Sequence, residues 1–173
     1  MTSKLELIEG SCVNQKVDVV VNAANRNLLA GGGVCGAIFF ACGYDALTKA
    51  CKQYKTPLKD GQAVFTPSFD LKTAKGIIHA VGPDFSYTPN AFDKLFDAYY
   101  NSLILLQEHN LHTIAFPLIS SGIFGGNLSK PAYVSYSYAK KAFDAFVSKY
   151  TEYEIEMKVC AFSSYELKEI KKG

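Results

Sequence analysis

The sequence predicts an α/β protein in which a mostly parallel sheet carries helices on both faces. Three observations lead there. Short β-branched apolar runs alternate along the chain with longer stretches of helical periodicity, the pattern of βαβ units. Two of those runs, VDVVV and GIIHAV, are apolar almost throughout, as strands buried on both faces are. The 173 residues contain no repeat, low-complexity segment or linker, which fits a single domain over residues 1–173 with room for a real core.

The elements follow in order. Residues 4–9 (KLELIE) alternate polar and apolar and form a first strand. Residues 17–21 (VDVVV) form the second, and an Asn- and Gly-rich loop follows. Residues 34–41 and 44–54 are helical, with Gly43 as the break between them. Asp60-Gly61 is a turn signal before a short strand at 62–66, and residues 76–81 (GIIHAV) form a buried strand closed by Gly82-Pro83. Residues 90–109 set Phe92, Leu95, Phe96, Tyr99, Leu103 and Leu106 along one stripe of a core-facing helix. A strand at 113–116 leads into the loop ISSGIFGGN and a helix over 131–150 with Pro131 in its first turn. A strand within 155–162 and a short helix at 165–171 complete the chain.

Composition narrows the function. Apolar residues make up 49% and charged residues 20%, an ordinary globular balance that argues against disorder. A net charge of +2 leaves no basic footprint for nucleic acid or an anionic membrane. Arg26 is the only arginine among 18 basic residues, so backbone N–H groups or Lys must hold any phosphate. The five cysteines (Cys12, Cys35, Cys42, Cys51, Cys160) form no C-x-x-C pair and lie at no zinc-type spacing with His79, His109 or His112. Neither a disulfide framework, nor a metal site, nor a cofactor is expected. MTSKLELIEG lacks the apolar stretch of a signal peptide and no run approaches a membrane span, so a reducing, cytoplasmic setting is expected.

Both Gly-rich loops fall between a buried strand and a helix. Ligands of such sheets collect at the carboxyl ends of the strands, beside helix N-termini. On adjacent strands, the loop around Gly31–Gly33 and the loop over residues 120–126 would hold two phosphates, or one diphosphate, from both sides. Taken singly, each loop serves a turn and tight helix–sheet packing equally well. Neither is a Walker A sequence or G-x-G-x-x-G, so standard nucleoside triphosphatases and nicotinamide dehydrogenases lose support. Asn22 and Asn25 bracket the end of the second strand, where an amide either caps a turn or holds a sugar hydroxyl or a water. His79, alone in mid-strand, reads as structural, and His109 and His112 as solvent-facing.

VDVVVNAAN, GGGVCGAIFFACG, IIHAVGP, NSL in the long helix, and FPLISSGIFGG together resemble the macro domain family, which binds ADP-ribose. The order and spacing of these pieces are similar to the family's over nearly the whole chain. They look most like the stand-alone bacterial branch that hydrolyses O-acetyl-ADP-ribose and mono-ADP-ribosyl esters. The resemblance implies a three-layer α/β/α sandwich around a mixed sheet of about six strands. It implies that Asn25, beside Ala24, bonds the distal ribose, and that Gly31, Gly32, Gly33 and Val34 wrap one side of the diphosphate. Ser120, Ser121, Gly122, Ile123 and Phe124 would form the other wall, with the Phe124 ring against the distal ribose. Phe162 would pack on adenine, and both aromatic rings are expected to be partly exposed.

Two positions depart from that pattern. Where the family carries G-D-I-[TV], this chain reads Gly10-Ser11-Cys12-Val13, so a neutral Ser11 replaces the carboxylate that accepts from adenine. Hydrogen bonds to charged groups contribute about 1.5–3 kcal/mol against about 1 for neutral pairs, so weaker or looser adenine recognition is expected. Glu9 is a possible substitute that strand alternation alone does not decide. Where deacetylase-type members carry Asp in G-V-D-G-A-I, this chain has Cys35. Cys35 is either a small packing residue or, in the first turn of a helix, a thiol of lowered pKa able to activate water. With Asn25 and Gly33 it makes up the expected catalytic set. Two functions follow: a hydrolase of ADP-ribosyl esters or O-acetyl-ADP-ribose, with water activated by a substrate phosphate, and a non-catalytic reader of free or protein-linked ADP-ribose. A monomer is expected, and nucleic-acid binding is not.

Overall fold

Strand pairing organises the chain. In the computed structural model, which describes residues 2–173, the strands are β1 (Lys4–Glu9), β2 (Val19–Ala24), β3 (Ala63–Pro67), β4 (Gly76–Val81), β5 (Thr113–Pro117) and β6 (Glu156–Ala161). They form one six-stranded sheet in the order β1-β6-β5-β2-β4-β3. Every neighbouring pair is parallel except β3, which runs antiparallel to β4 at one edge. Pro67 ends that edge strand, where the ladder does not require an N–H. The helices are α1 (Gly33–Cys42), α2 (Tyr44–Cys51), α3 (Ala91–Glu108), α4 (Pro131–Lys149) and α5 (Ser164–Lys172).

Side-chain alternation assigns the layers. Val19, Val21, Ile78, Ile114, Phe116 and Val159 point to one face and pack under α3, α4 and α5. Val20, Ile77, Val81, Ala115 and Cys160 point to the other and pack under α1, α2 and a 3-10 turn at Cys12–Asn14. The expected three-layer α/β/α sandwich is the observed one. All five cysteines are free and buried in the second layer.

The second strand differs from its sequence expectation. It begins at Val19 rather than Val17 and runs on to Ala24. Asp18 is held outside it: its carboxylate accepts the His112 and Thr113 N–H groups at 2.8 and 3.1 Å, and its own N–H donates to Thr113 Oγ1 at 2.7 Å. Beyond the valines, Asn22, Ala23 and Ala24 stay in the ladder opposite His79, Ala80 and Val81. Asn22 is therefore inside the sheet, and only Asn25 stands at the strand end.

Candidate ligand-binding site

Adjacent strands β2 and β5 send their connections to opposite faces: β2 leads to α1 in the second layer, β5 to α4 in the first. A crevice opens at such a switch point, outside the carboxyl ends of the strands. Because β1, β6, β5, β2 and β4 are mutually parallel, the segments after them share one end of the sheet. The order across that end is Ser11 and Cys12, then Phe162, then residues 118–126, then residues 25–33, then Gly82-Pro83.

Asn25 fastens the first loop at Leu29. Asn25 Nδ2 donates to the Leu29 carbonyl at 2.8 Å, and Asn25 Oδ1 accepts the Leu29 N–H at 3.0 Å. This is the turn-capping arrangement, and it leaves one N–H and one lone pair of the amide unused. The Cys35 thiol donates to the same Leu29 carbonyl at 3.6 Å. Gly31, Gly32 and Gly33 are exposed, and Gly33 enters α1 at φ 58°. No side chain caps α1 at Gly32, and its first turn contains no acid, so its N–H groups form an open positive end. Gly36 permits the loop's return: a Cβ there would lie 2.5 Å from the Gly31 carbonyl oxygen. Arg26 grips the Asp60 carboxylate with two bonds, at 2.9 and 2.8 Å, and Thr88 donates to the same carboxylate at 2.7 Å. The guanidinium holds the Asp60 carboxyl below the usual range.

Of the two readings of Cys35, the structure agrees with the packing one. Burial raises its thiol pKa, outweighing backbone and Asn22 donors beside it, so no helix-activated thiolate forms. The thiol is 7% exposed and acts as a packed S–H donor. Beneath it lies a neutral imidazole. Burial lowers His79 to about 4. Its Nδ1 accepts from Asn22 Nδ2 at 3.0 Å and its Nε2–H donates to Thr66 Oγ1 at 2.9 Å, the structural role read from the sequence.

The second loop is gripped along its length. Ser120 adopts φ 62° with its hydroxyl donating to the Pro83 carbonyl at 2.7 Å. Ser121 donates to Leu118 O at 2.8 Å, and the Phe124 carbonyl accepts the Phe85 N–H at 2.8 Å across a 3-10 turn at Ile123–Gly125. Gly82 lies against it: a Cβ there would meet Ile119 Cγ2 at 2.4 Å and Ser120 Oγ at 2.5 Å. A Cβ on Gly122 would meet nothing within 4 Å. The α4 N-terminus, in contrast to expectation, is not an open anion site. Glu169 Oε2 already accepts from the N–H groups of Ala132 and Tyr133, at 2.7 and 3.2 Å. Any anion at this loop must use the loop's own N–H groups.

At the β1–β6 end, Ser11 Oγ accepts the Val13 N–H at 3.3 Å, capping the 3-10 turn, with one lone pair and its proton remaining. Cys12 is buried, its thiol is pushed up to about 12 by burial with Cys160 beside it, and it donates to Val21 O at 3.8 Å. Glu9 is exposed. Phe162 is 77% exposed and Phe124 37%, the partial exposure expected of both rings, while Ile123 is 94% exposed. Ala24 is buried at its strand end and Val34 half-buried in the first turn of α1. Sequence reasoning gave no part in the site to Gly36, Gly82, Arg26 or Asp60. The first two sit in quoted motifs, whereas the ion pair spans 34 residues and has no local signal.

Known proteins share this architecture. Over 164 residues the chain is 39% identical to the O-acetyl-ADP-ribose deacetylase of Salmonella typhimurium, covering 92% of this chain and 88% of that one. Over 138 residues it is 42% identical to a macro domain-containing protein of Caldanaerobacter subterraneus, covering 78% of each. The Oceanobacillus iheyensis macrodomain with ADP superposes with a TM-score of 0.86 at 32% identity, covering 97% of this chain and 88% of that one. The Trypanosoma brucei macrodomain in complex with ADP-ribose gives 0.82 at 27% identity, covering 97% and 68%. Residues 21–134 match the macro domain itself, and the chain belongs to the macro domain family.

Proposed function

We infer that this protein binds ADP-ribose across the carboxyl end of its sheet and hydrolyses ADP-ribosyl esters, either O-acetyl-ADP-ribose or mono-ADP-ribose joined to Asp and Glu of proteins. The observation that carries the reading is the convergence of two glycine loops at the β2/β5 switch point, in a chain with relatives named as deacetylases. The uncapped start of α1 and the N–H groups of Ser120–Gly122 suit the diphosphate. Phe162 and Ser11 suit adenine at the β1–β6 end. The spare N–H and lone pair of Asn25 suit the hydroxyls of the distal ribose.

Residues 22–43 and 117–135 contain no carboxylate and no imidazole. Cys35 stays protonated. These two loops therefore offer no general base, and on this reading the proton of the attacking water goes to a substrate phosphate oxygen, as the resemblance to the family implies. The protein supplies orientation, through Asn25 and the Gly31–Gly33 segment, and N–H groups that stabilise developing charge. The same lack of an acid favours the second reading, a binding module that holds ADP-ribose without cleaving it. Incubation with O-acetyl-ADP-ribose separates them: many equivalents of acetate per protein support the hydrolase, and binding without release supports the reader. Unchanged turnover in Asn25→Ala would contradict the assigned site. We further propose a monomer in a reducing, cytoplasmic compartment, a setting that five free thiols support.

A further inference from the structure

Ile119 is the last residue before the left-handed turn at Ser120, and both its backbone polar groups are buried. Its N–H donates to Tyr99 Oη at 3.0 Å, and its carbonyl accepts the Ser135 hydroxyl at 2.5 Å. Tyr99 Oη and Ser135 Oγ are 2.7 Å apart. Only one proton arrangement satisfies the three contacts. Ser135 gives its proton to the carbonyl, so Tyr99 must give its own to Ser135 Oγ and accept from the amide. The result is a closed ring of three hydrogen bonds among α3, α4 and the loop. Tyr99 is fully buried and Ser135 is 1% exposed, so neither hydroxyl has water as an alternative partner.

We propose that Tyr99 and Ser135 are positioning residues for the ligand. The ring fixes the Ile119 peptide, and Ser120 Oγ on Pro83 O fixes the next one, so the N–H groups that follow are set before the diphosphate arrives. Both ring hydroxyls are buried and act through the loop. The proposal rests on the ADP-ribose reading of the site, which a titration of the wild-type protein tests separately.

The experiment is a set of ADP-ribose titrations with Ser135→Ala, Tyr99→Phe and Ser102→Ala. Ser102 is the control: it is fully buried in α3 and donates to Ala98 O at 2.7 Å, outside the ring. Ser135→Ala and Tyr99→Phe weaken ADP-ribose binding about tenfold, the effect of one lost net hydrogen bond. Adenosine, which has no phosphate, competes unchanged in both, and Ser102→Ala binds ADP-ribose as wild type does. Amide exchange over residues 119–122 of the free protein speeds up only in the two ring variants. Equal losses in all three variants, or equal losses for adenosine and ADP-ribose, would overturn the positioning role. No wild-type binding of ADP-ribose would overturn the functional reading, and exchange at 119–122 unchanged by Ser135→Ala would then overturn the clamp as well.

Discussion

The two glycine loops look alike in sequence and are held in different ways. The first is fastened at its base, by Asn25 and Cys35 on Leu29, by Arg26 on Asp60 and by the Leu58 N–H on the Arg26 carbonyl, and its glycines end in an open helix terminus. The second is bonded at Ile119, Ser120, Ser121 and Phe124, and the helix that follows has its N–H groups taken by Glu169. Glycine richness therefore marks two designs. In the first loop it exposes a helix terminus and a short run of glycine backbone. In the second it lets a fixed backbone turn tightly against its neighbours. On the proposed reading the first loop flanks the distal ribose and one side of the diphosphate, and the second loop flanks the other side.

The sharpest break of this contrast is at Asn25. Asn25→Ala removes the clasp and the ribose contact together, and turnover of O-acetyl-ADP-ribose should fall on the order of 100-fold or more, with the far-ultraviolet spectrum unchanged. Acid stability probes the floor of the first loop. His79 has a folded pKa of about 4 against an unfolded value near 6.5. The unfolded chain binds the extra proton between those values, so stability is full above about pH 6.5 and falls as the pH drops toward 4, by about 2–3 kcal/mol. Denaturant unfolding over that range should show this slope, and His79→Gln should flatten it. Glycine substitutions sharpen the comparison of the walls. Gly82→Ala and Gly36→Ala, whose Cβ atoms meet neighbours at 2.4 and 2.5 Å, should each cost about 1–3 kcal/mol. Gly122→Ala meets open space and should stay within about 0.5 kcal/mol in the same unfolding assay. The smallest effect is expected at Cys35. Cys35→Ser keeps a donor for Leu29 and should leave turnover within about threefold, since a hydroxyl can replace the weaker thiol donor there. A loss of tenfold or more would restore the thiol to the chemistry.

Much of this was legible in the sequence because the signals are local. β1 and β4 run over the residues that their patterns indicate, and Pro131 opens α4. The second strand was displaced because its valines predict burial, while its ends are set by Asp18 bonding across to His112 and Thr113 and by pairing with β4. The 3-10 turns at Cys12–Asn14 and Ile123–Gly125 are single turns with no periodicity to read. In the site, the glycines and Asn25 announce themselves by residue type. Tyr99 and Ser135 do not: each looks like an ordinary helix residue, and they meet only because α3 and α4 pack side by side. For Cys35 the sequence left a packed thiol and an activated one as readings, and burial in the assembled layer, which raises the thiol pKa, agrees with the first.

The central claim is that a site without a carboxylate in its loops cleaves an ADP-ribosyl ester. The most direct test is a time course of ADP-ribose released from a protein mono-ADP-ribosylated on glutamate. Continuous release, many equivalents per protein and lost in Asn25→Ala, is the expected result. Saturable binding of ADP-ribose with no release from this substrate or from O-acetyl-ADP-ribose would contradict it and leave a reader.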